Sequence, residues 1–585
     1  MTAPGAPIRT GGRTIEPEWR DLLDDATADR MAAMLDAARH ATPERRAELA
    51  SLAASSGRFA VNAGNHDVAR HLLQAALELS EHRGVERARL LLDLARATAG
   101  SGDLVGARTL LDEVVTLAET AGDVDLLVDA AIRSTFPADW RAGDRHSAAL
   151  LDLAERLDDG ARRGAILACR ALVEMRIPAS SDPDQQVAWV TRASVAQPLA
   201  DEALAITDGR ADIDRLLALI SWRATHRAPR WLARRQETSA AAVDLAQRLL
   251  DHERLVDACS LLAVDCLETG DRSGYGRALA TLRWAAATEA NPRLLWLAAT
   301  LSAGEALLDD DMEAAESHRT DADRIGDAHD LPGWVAAELL FAAEMTLGSG
   351  DAGEMRRYLV PDNSPILDSP IARSSVAFMS ALLGDDDRTL RYAETALRDV
   401  DEESSLLLCL VLMARAAATL GSDRLITELT TRLEPWRGHV AIDASGWWCA
   451  GPVDLVLAEM ESAAGRTDRA AESLAQAVSI IETVGDRRAA RRADELRRGL
   501  GNGPLPRPPV TSAATHTGLA ELTDRERDVL RLIATGMTNA AIGSALAYSP
   551  STIRADTVSI YRKLEVRGRA EAAAVAVAAG LTQPG

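Results

Sequence analysis

The chain has 585 residues, of which 47% are apolar and only 3% aromatic, and its 88 Asp and Glu outnumber 65 Lys and Arg to give a formal net charge of −23. That length exceeds what a single hydrophobic core supports and implies two or more units. The acidity excludes a body that grips nucleic acid over its whole surface, and no apolar run long enough to span a bilayer is present.

Residues 1–16 read as a disordered start, without the apolar core of a secretory leader. Helices are predicted from about Trp19 to about Leu500, in a background rich in Ala and Leu, which lose little on entering a helix. One phrase recurs: a glycine, an acid or polar residue, then an amphipathic helix. It stands at Gly64-Asn65-His66-Asp67, Gly102-Asp103, Gly143-Asp144, Gly270-Asp271, Gly350-Asp351, Gly384-Asp385, Gly421-Ser422-Asp423 and Gly465-Arg466-Thr467-Asp468, with Asp309-Asp310-Asp311 standing in for a missing mark. Outside the gap between 143 and 270 the spacing is about 34 to 44 residues, the length of one helical hairpin in a tetratricopeptide-like solenoid. Glycine ends one helix in a left-handed cap, the acid caps the next, and each hairpin leaves an apolar face that only its neighbours cover. Between about Asp158 and Asp251 the register cannot be read, and Ile177 to Gln186 is expected as a loop.

Within this long part, Trp222 to Arg235 gathers aromatic and basic residues in an acidic surround. Two readings stand side by side. Trp222, His226, Arg227, Arg230 and Trp231 can form a face for an anionic small molecule, a peptide or an acidic protein surface, since Arg offers a planar donor fork and Trp a stacking face. The other reading is two helix ends with a solvated basic face and tryptophans in the core. Trp436, Trp447 and Trp448 flank a break in the helical pattern and read as buried anchors of a loop or as a partner surface. The acidic runs at 309–311 and 385–387 read as helix caps rather than cation sites, because neither continues as a calcium loop. Five cysteines, Cys169, Cys259, Cys266, Cys409 and Cys449, lie in apolar helical context and are expected to be buried reduced thiols of a cytoplasmic protein. No catalytic motif is present, and neither an enzyme, a cofactor nor a metal is expected.

Residues 501–517 hold Pro504, Pro506, Pro508 and Pro509 and read as a semi-extended linker between a helical-repeat domain, 17–500, and a small domain, 518–585. In the latter, Thr523 and Glu526 form a capping-box pattern ahead of a helix whose apolar residues are Val529, Leu530, Leu532 and Ile533. A second short helix is expected to bury Ile542, Ala545 and Leu546, a turn follows at Tyr548-Ser549-Pro550, and a third helix turns Ile553, Ile560 and Leu564 inward. A fourth runs from about Arg569 to Ala579 with Ala573, Val577 and Gly580 on its apolar face. The second helix, turn and third helix have the layout of a helix-turn-helix.

This stretch resembles the LuxR-type helix-turn-helix. The resemblance rests on Leu522-Thr523, Arg525-Glu526, Val529-Leu530, Gly536, Thr538-Asn539, Ile542, Leu546, Ser549, Thr552-Ile553-Arg554, Ile560, Lys563-Leu564, Val566 and Arg569-Ala570. It implies a transcriptional regulator, more often an activator, that binds double-stranded DNA as a homodimer through its last helix. Carried over by position, Arg554 is expected to reach a base edge, as a guanidinium can pair with guanine, and Ala555 and Val558 to face the groove beside it. Thr538, Asn539, Ser551, Thr552, Tyr561 and Lys563 are expected to hold phosphates; for Thr538, Ser549 and Ser551 simple helix capping is the other reading. Two positions depart from the family: Asp556, where His is frequent, would repel phosphate or accept from a cytosine, and Glu565 stands where Gly is usual. From His516 onward eight Arg and Lys face seven Asp and Glu, about +1, which leaves −23 − 1 = −24 for the rest.

The long helical part resembles the repeat region of large LuxR-family regulators, through Ala224-Thr225-His226-Arg227-Ala228, Gly451-Pro452-Val453 and Arg469-Ala470-Ala471-Glu472. Such regulators often carry an ATP-binding module, whose phosphate loop needs a lysine. The single lysine here, Lys563, lies in the DNA-reading helix, so that motif is excluded in its usual form. The expected protein is thus all-α, a tetratricopeptide-like helical-hairpin solenoid followed by a four-helix LuxR-type domain, receiving a small-molecule or protein effector and reading a promoter. The alternative is a protein-interaction scaffold whose helix-turn-helix has degenerated.

Overall fold

The structure is a computed structural model. It describes chiefly residues 42–80, 83–135, 151–156, 160–175, 193–329, 370–400, 406–442, 449–500, 517–534, 539–564 and 568–579, with a few short pieces between them. The chain forms two compact units, residues 1–137 with 288–291, and residues 138–287 with 292–585.

Among the described residues of the first unit five helices follow one another: α1 (Pro43–Asn62), α2 (His66–Leu79), α3 (Gly84–Gly100), α4 (Leu104–Ala121) and α5 (Val124–Thr135). Each packs on the next, and the first helix of each hairpin also touches the first helix of the following one, α1 on α3 and α3 on α5. Ala53, Ala60, Ala69, Ala76 and Ala97 are buried between them with Leu72, Leu73 and Leu94, and these small side chains let the helices approach closely. Near the N-terminus, β1 (Arg9–Thr10) pairs antiparallel with β2 (Arg13–Thr14), within the stretch expected to be disordered.

The second unit continues the pattern with α6 (Arg163–Glu174), α7 (Ala193–Ile206), α8 (Ile213–Thr225), α9 (Leu232–Leu249), α10 (His252–Glu268), α11 (Arg272–Glu289), α12 (Pro292–Leu308) and α13 (Met312–Ala328). It goes on through α14 (Pro370–Leu383), α15 (Asp386–Asp399), α16 (Leu406–Leu420), α17 (Asp423–Leu433), α18 (Val453–Ala463), α19 (Thr467–Val484) and α20 (Arg487–Gly499). One core runs through α8–α13 and a second through α14–α18. The fold is therefore all-α and built of tetratricopeptide-like helical hairpins.

The recurring phrase does what its chemistry dictates. Gly64, Gly102, Gly270, Gly384, Gly421 and Gly465 all adopt φ between 70 and 92°, the left-handed region open to glycine. At four of these turns the next residue, Asn65, Asp103, Asp271 or Asp385, caps the following helix with its side chain: Asp103 Oδ1 accepts from Gly106 N at 2.8 Å and Asp271 Oδ1 from Gly274 N at 2.8 Å, whereas Ser422 and Arg466 make no such bond. At the substitute mark, Asp310 itself takes φ 57° while Asp311 Oδ1 accepts from Ala314 N. Gly143 and Gly350 lie outside the described residues. Two turns of the same kind escaped the spacing, Gly122-Asp123 and Gly485-Asp486, because they join hairpins rather than close them. A third carries leucine: Leu250 has φ 54°, and Asp251 caps α10.

Among the described residues, two further places break the helical rule. Ile177–Pro178 (β3) pairs with Trp189–Val190 (β4), so the expected loop is entered through a short antiparallel pair. Val440–Ile442 (β5) pairs with Cys449–Pro452 (β6). This hairpin is held by arginines from neighbouring helices: Arg415 and Arg492 donate to the Ala450 carbonyl at 3.0 and 2.9 Å, and Arg488 to that of Cys449. Trp436 beside it is buried, whereas Trp447 and Trp448 lie outside the described residues. All five cysteines are buried, and burial pushes the Cys259 and Cys266 thiols up to about 12 and about 11. Among the described residues no helix is long and apolar enough to cross a membrane.

Candidate nucleic-acid interface

The last four helices are α21 (Asp524–Ala534), α22 (Asn539–Leu546), α23 (Pro550–Leu564) and α24 (Arg569–Ala578), preceded by a 3-10 turn at Thr517–Glu521. Their core is Val529, Leu530, Ile533, Ile542, Ile553, Ile560 and Leu564, closed by Ala572, Val575 and Ala576 of α24. One detail differs from expectation: Ala545 is exposed. Ala573 packs half-buried against the core, while the Val577 side chain and Gly580 lie outside the described residues. Gly518 passes so close to the end of α23 that a Cβ there would overlap the Lys563 carbonyl.

The capping box forms as expected. Glu526 N donates to Thr523 Oγ1 at 3.2 Å, and Thr523 N donates back to Glu526 Oε2 at 2.7 Å. The same carboxylate, 4% exposed, also accepts from Ser559 Oγ at 2.7 Å and from Lys563 Nζ at 2.6 Å. Burial pushes this carboxyl up, but the bonds from Lys563, Ser559 and Thr523 outweigh it and hold it down at about 2. Glu526 thereby ties the start of α21 to the middle and end of α23.

At the head of α23, Ser549 acts as the cap: its Oγ accepts from Thr552 N at 3.1 Å and lies 2.8 Å from Thr552 Oγ1. Along the helix, Arg554, Ala555, Val558 and Arg562 are exposed, Val558 by 58%. Their spacing puts them on one outward stripe. Three of the four were expected there; Arg562 was missed, although it lies two turns on from Arg554.

Several expected phosphate ligands have other work. Asn539 is 2% exposed, and its Oδ1 accepts from Arg569 Nη1 at 2.9 Å and lies 3.4 Å from Thr557 Oγ1, so it joins α22, α23 and α24. Lys563 is engaged by Glu526, and Thr552 by Ser549. Tyr561 is half-buried against the core. Thr538 and Glu565 lie outside the described residues, and of the Ser551 side chain nothing is described. Asp556 corrects the expectation of an acid at the groove. It is 5% exposed and turned inward, where it accepts from Arg525 Nη2 at 2.6 Å. The Arg525 guanidinium lies 5.5 Å from the Tyr548 ring, so the pair and the ring brace the turn before α23.

The aromatic and basic stretch in the long part is also more interior than expected. Trp222 and His226 are 0% and 1% exposed and stack at 4.2 Å, with Trp231 edge-on to both. Trp222 Nε1 donates to Asp201 Oδ1 at 2.8 Å, and the Arg234 guanidinium covers the Trp222 ring at 4.4 Å. Below them lies a buried charge network. Arg223 Nε donates to Asp265 Oδ2 at 2.7 Å, Ser239 Oγ to the same oxygen at 2.7 Å, and Arg235 Nη2 to Glu268 Oε2 at 2.7 Å. Trp222 and His226 are therefore packing residues that cannot meet a ligand without opening the helices. Arg227 and Trp231 are half-buried and Arg230 is exposed.

The short second helix, the capped turn and the exposed stripe of a longer third helix define a four-helix helix-turn-helix domain. Residues 520–576 match the family "Bacterial regulatory proteins, luxR family", and this C-terminal segment is a LuxR-family helix-turn-helix domain. It is 44% identical over 55 residues to YhjB of Escherichia coli (strain K12), which carries the name of an HTH-type transcriptional regulator. It is 38% identical over 61 residues to the nitrate/nitrite response regulator protein NarL of the same strain. Those stretches are 9% and 10% of this chain and 28% of each relative, so the likeness is confined to the domain. Among solved structures, a Rap protein complexed with competence and sporulation factor aligns over 71% of this chain and 99% of its own at 14% identity and a TM-score of 0.36. Yeast Tom70 aligns over 77% and 96% at 13% identity and a TM-score of 0.26.

Proposed function

We propose that this protein is a DNA-binding transcriptional regulator, an activator, that reads promoter DNA as a homodimer through α23. On this reading its helical hairpins receive the signal that controls it, and it works in the cytoplasm. The observation that carries the reading is the outward stripe Arg554, Ala555, Val558 and Arg562 on the third helix of a LuxR-family domain. Arg554 pairs with a base edge, Ala555 and Val558 offer methyl groups to thymine, and Arg562 meets the backbone. Of the residues expected to meet an effector, Arg227, Arg230 and Trp231 are the ones with surface in solvent, at the rim of the buried aromatic cluster.

The test is a bound-site selection from random duplexes, followed by binding measurements with Arg554→Ala. The variant is expected to lose about 1–3 kcal/mol of discrimination at one base position. Equal affinity of variant and wild type for every duplex would refute the assignment. The net charge of about +1 from residue 516 onward favours a second reading, a protein-interaction scaffold. Salt separates the two, since operator binding weakens steeply as salt rises, whereas a chain retained by no duplex at low salt is the scaffold.

A further inference from the structure

We infer that the groove between α2 and α4 of the first unit is a binding site for one free α-amino acid with an apolar side chain. These two helices are the second members of successive hairpins, and both pack on α3. Between them lies a cavity of about 390 Å³, at the small end of the roughly 300–1,000 Å³ of small-molecule sites. Arg70, His71 and Gln74 of α2 line one side, Asp103 and Leu110 of the α4 end and body line the other, and buried Leu94 of α3 lies between.

The two sides carry opposite charges that the fold uses little. Among the described residues, the Arg70 guanidinium has only distant partners, Ser101 Oγ at 3.5 Å and Asp67 Oδ1 at 3.8 Å, and Asp67 leaves 75% of its side chain in solvent. Asp103 spends one oxygen on the cap, where Oδ1 accepts from Gly106 N at 2.8 Å, and among the described residues Oδ2 has no bond. The two charges do not pair with each other, yet they share one end of the groove. Arg70 reaches across to Ser101, and Asp103 follows two residues later in the same turn. His71 Nδ1 donates to the Asp67 carbonyl at 2.7 Å, which leaves Nε2 and the Gln74 amide as further polar groups of that side.

This pairing of charges selects the ligand. A plain anion that meets Arg70 is repelled by Asp103, and a plain cation that meets Asp103 is repelled by Arg70. A molecule with a carboxylate and an ammonium on one carbon satisfies both, and charge-assisted bonds are the strong ones. Its carboxylate takes the place that Asp67 holds loosely at 3.8 Å. Leu94 and Leu110 belong to the apolar core of the unit and meet an apolar side chain rather than a polar one. The site does not rest on the DNA-binding reading, and neither stands on the other.

The experiment is isothermal titration calorimetry of the full chain with L-leucine and L-phenylalanine. The controls are 4-methylpentanoate and 3-phenylpropanoate, which lack the ammonium group, and 3-methylbutylamine and 2-phenylethylamine, which lack the carboxylate. Saturable binding of at least one of the two amino acids is expected, with its truncated analogues at least about tenfold weaker. Arg70→Gln is expected to weaken the amino acid about tenfold, the loss of one charge-assisted contact. Asp103→Asn keeps the cap, since Asn caps a helix as well as Asp does. It is expected to weaken the amino acid and to tighten the ammonium-free acid, each several-fold, because the charge that selects between them is removed. A misfolded chain cannot tighten on either. Absence of saturable binding, an ammonium-free acid that binds wild type as tightly as its amino acid, an Arg70→Gln chain that binds as well as wild type, or an Asp103→Asn chain that keeps the wild-type preference would each overturn the inference. A preparation that binds duplex DNA but neither amino acid overturns this inference alone; one that binds an amino acid but no DNA overturns only the regulator reading.

Discussion

Glu526 is the residue on which the C-terminal domain turns, and its replacement by glutamine is the sharpest test of that reasoning. The carboxylate receives two bonds from Thr523, one from Ser559 and two from Lys563, which hold its pKa near 2 against an ordinary value of 4.5. At 1.36 kcal/mol per unit, that difference is worth about 3 kcal/mol to the folded domain. The pKa is depressed on folding, so this stability is fully present above about pH 4.5 and is lost as pH falls towards 2. Glu526→Gln keeps the shape and some of the acceptor capacity but gives up the charge that holds Lys563. Native-state hydrogen exchange of the full chain at pH 7 should show the amides of α21 and α23 exchanging up to about a hundredfold faster in the variant. Wild type should lose protection in α21 and α23 as pH falls through the same window, and the variant should lose less. If exchange in the two helices changes by less than about threefold, the carboxylate is not the tie between them.

Lys563→Ala should act through the same tie, speeding exchange in α21 and α23 while leaving the salt dependence of DNA binding nearly unchanged; Arg562→Ala should lower that slope by about one unit without affecting exchange. Asp265→Asn should cost about 3–5 kcal/mol in urea unfolding, because it leaves the buried Arg223 with a neutral neighbour and Arg235 with Glu268 alone; a variant as stable as wild type would show that the network is bystander charge. Leu250→Gly should raise the urea midpoint slightly, since leucine at φ 54° pays about 1 kcal/mol that glycine does not, and Leu250 is 77% exposed, so little packing is lost. A fall in the midpoint would mean that the leucine side chain is held by something in the fold.

What could be read from the sequence was local. The glycine-acid turn works within five residues, so Gly102-Asp103 and Gly270-Asp271 announced both the left-handed residue and the cap that follows. Even the substitute at Asp309-Asp310-Asp311 obeyed the rule, as Asp tolerates the left-handed region. Leu250 did not announce itself, because nothing in an Ala- and Leu-rich run distinguishes a leucine forced into that conformation from one inside a helix. The β5–β6 hairpin was hidden for another reason: its pairing is supported by arginines 35 to 42 residues away, and no local pattern records them. The aromatic and basic stretch at Trp222 looked like a surface because it is rich in arginine. Its acids, Asp265 and Glu268, come from the neighbouring helix α10 and turn part of that charge into interior structure.

The same long-range pairing decides how the C-terminal charge should be counted. Summed along the chain, eight bases and seven acids nearly cancel and suggest a domain with little hold on a polyanion. In three dimensions the cancellation is uneven. Glu526 spends its charge on Lys563, Asp556 on Arg525 and Asp528 on Arg531, and Arg569 is buried against Asn539. The acid that seemed to spoil the reading helix, Asp556, is the one drawn inside, where it steadies the turn that aims α23. What α23 presents outward is Arg554 and Arg562 with two small apolar residues between them. A helix with that outward face suits the floor of a major groove, where a few bonds to base edges discriminate and the phosphates lie at the rim. The modest total then favours two such helices acting together, because each alone brings few phosphate contacts.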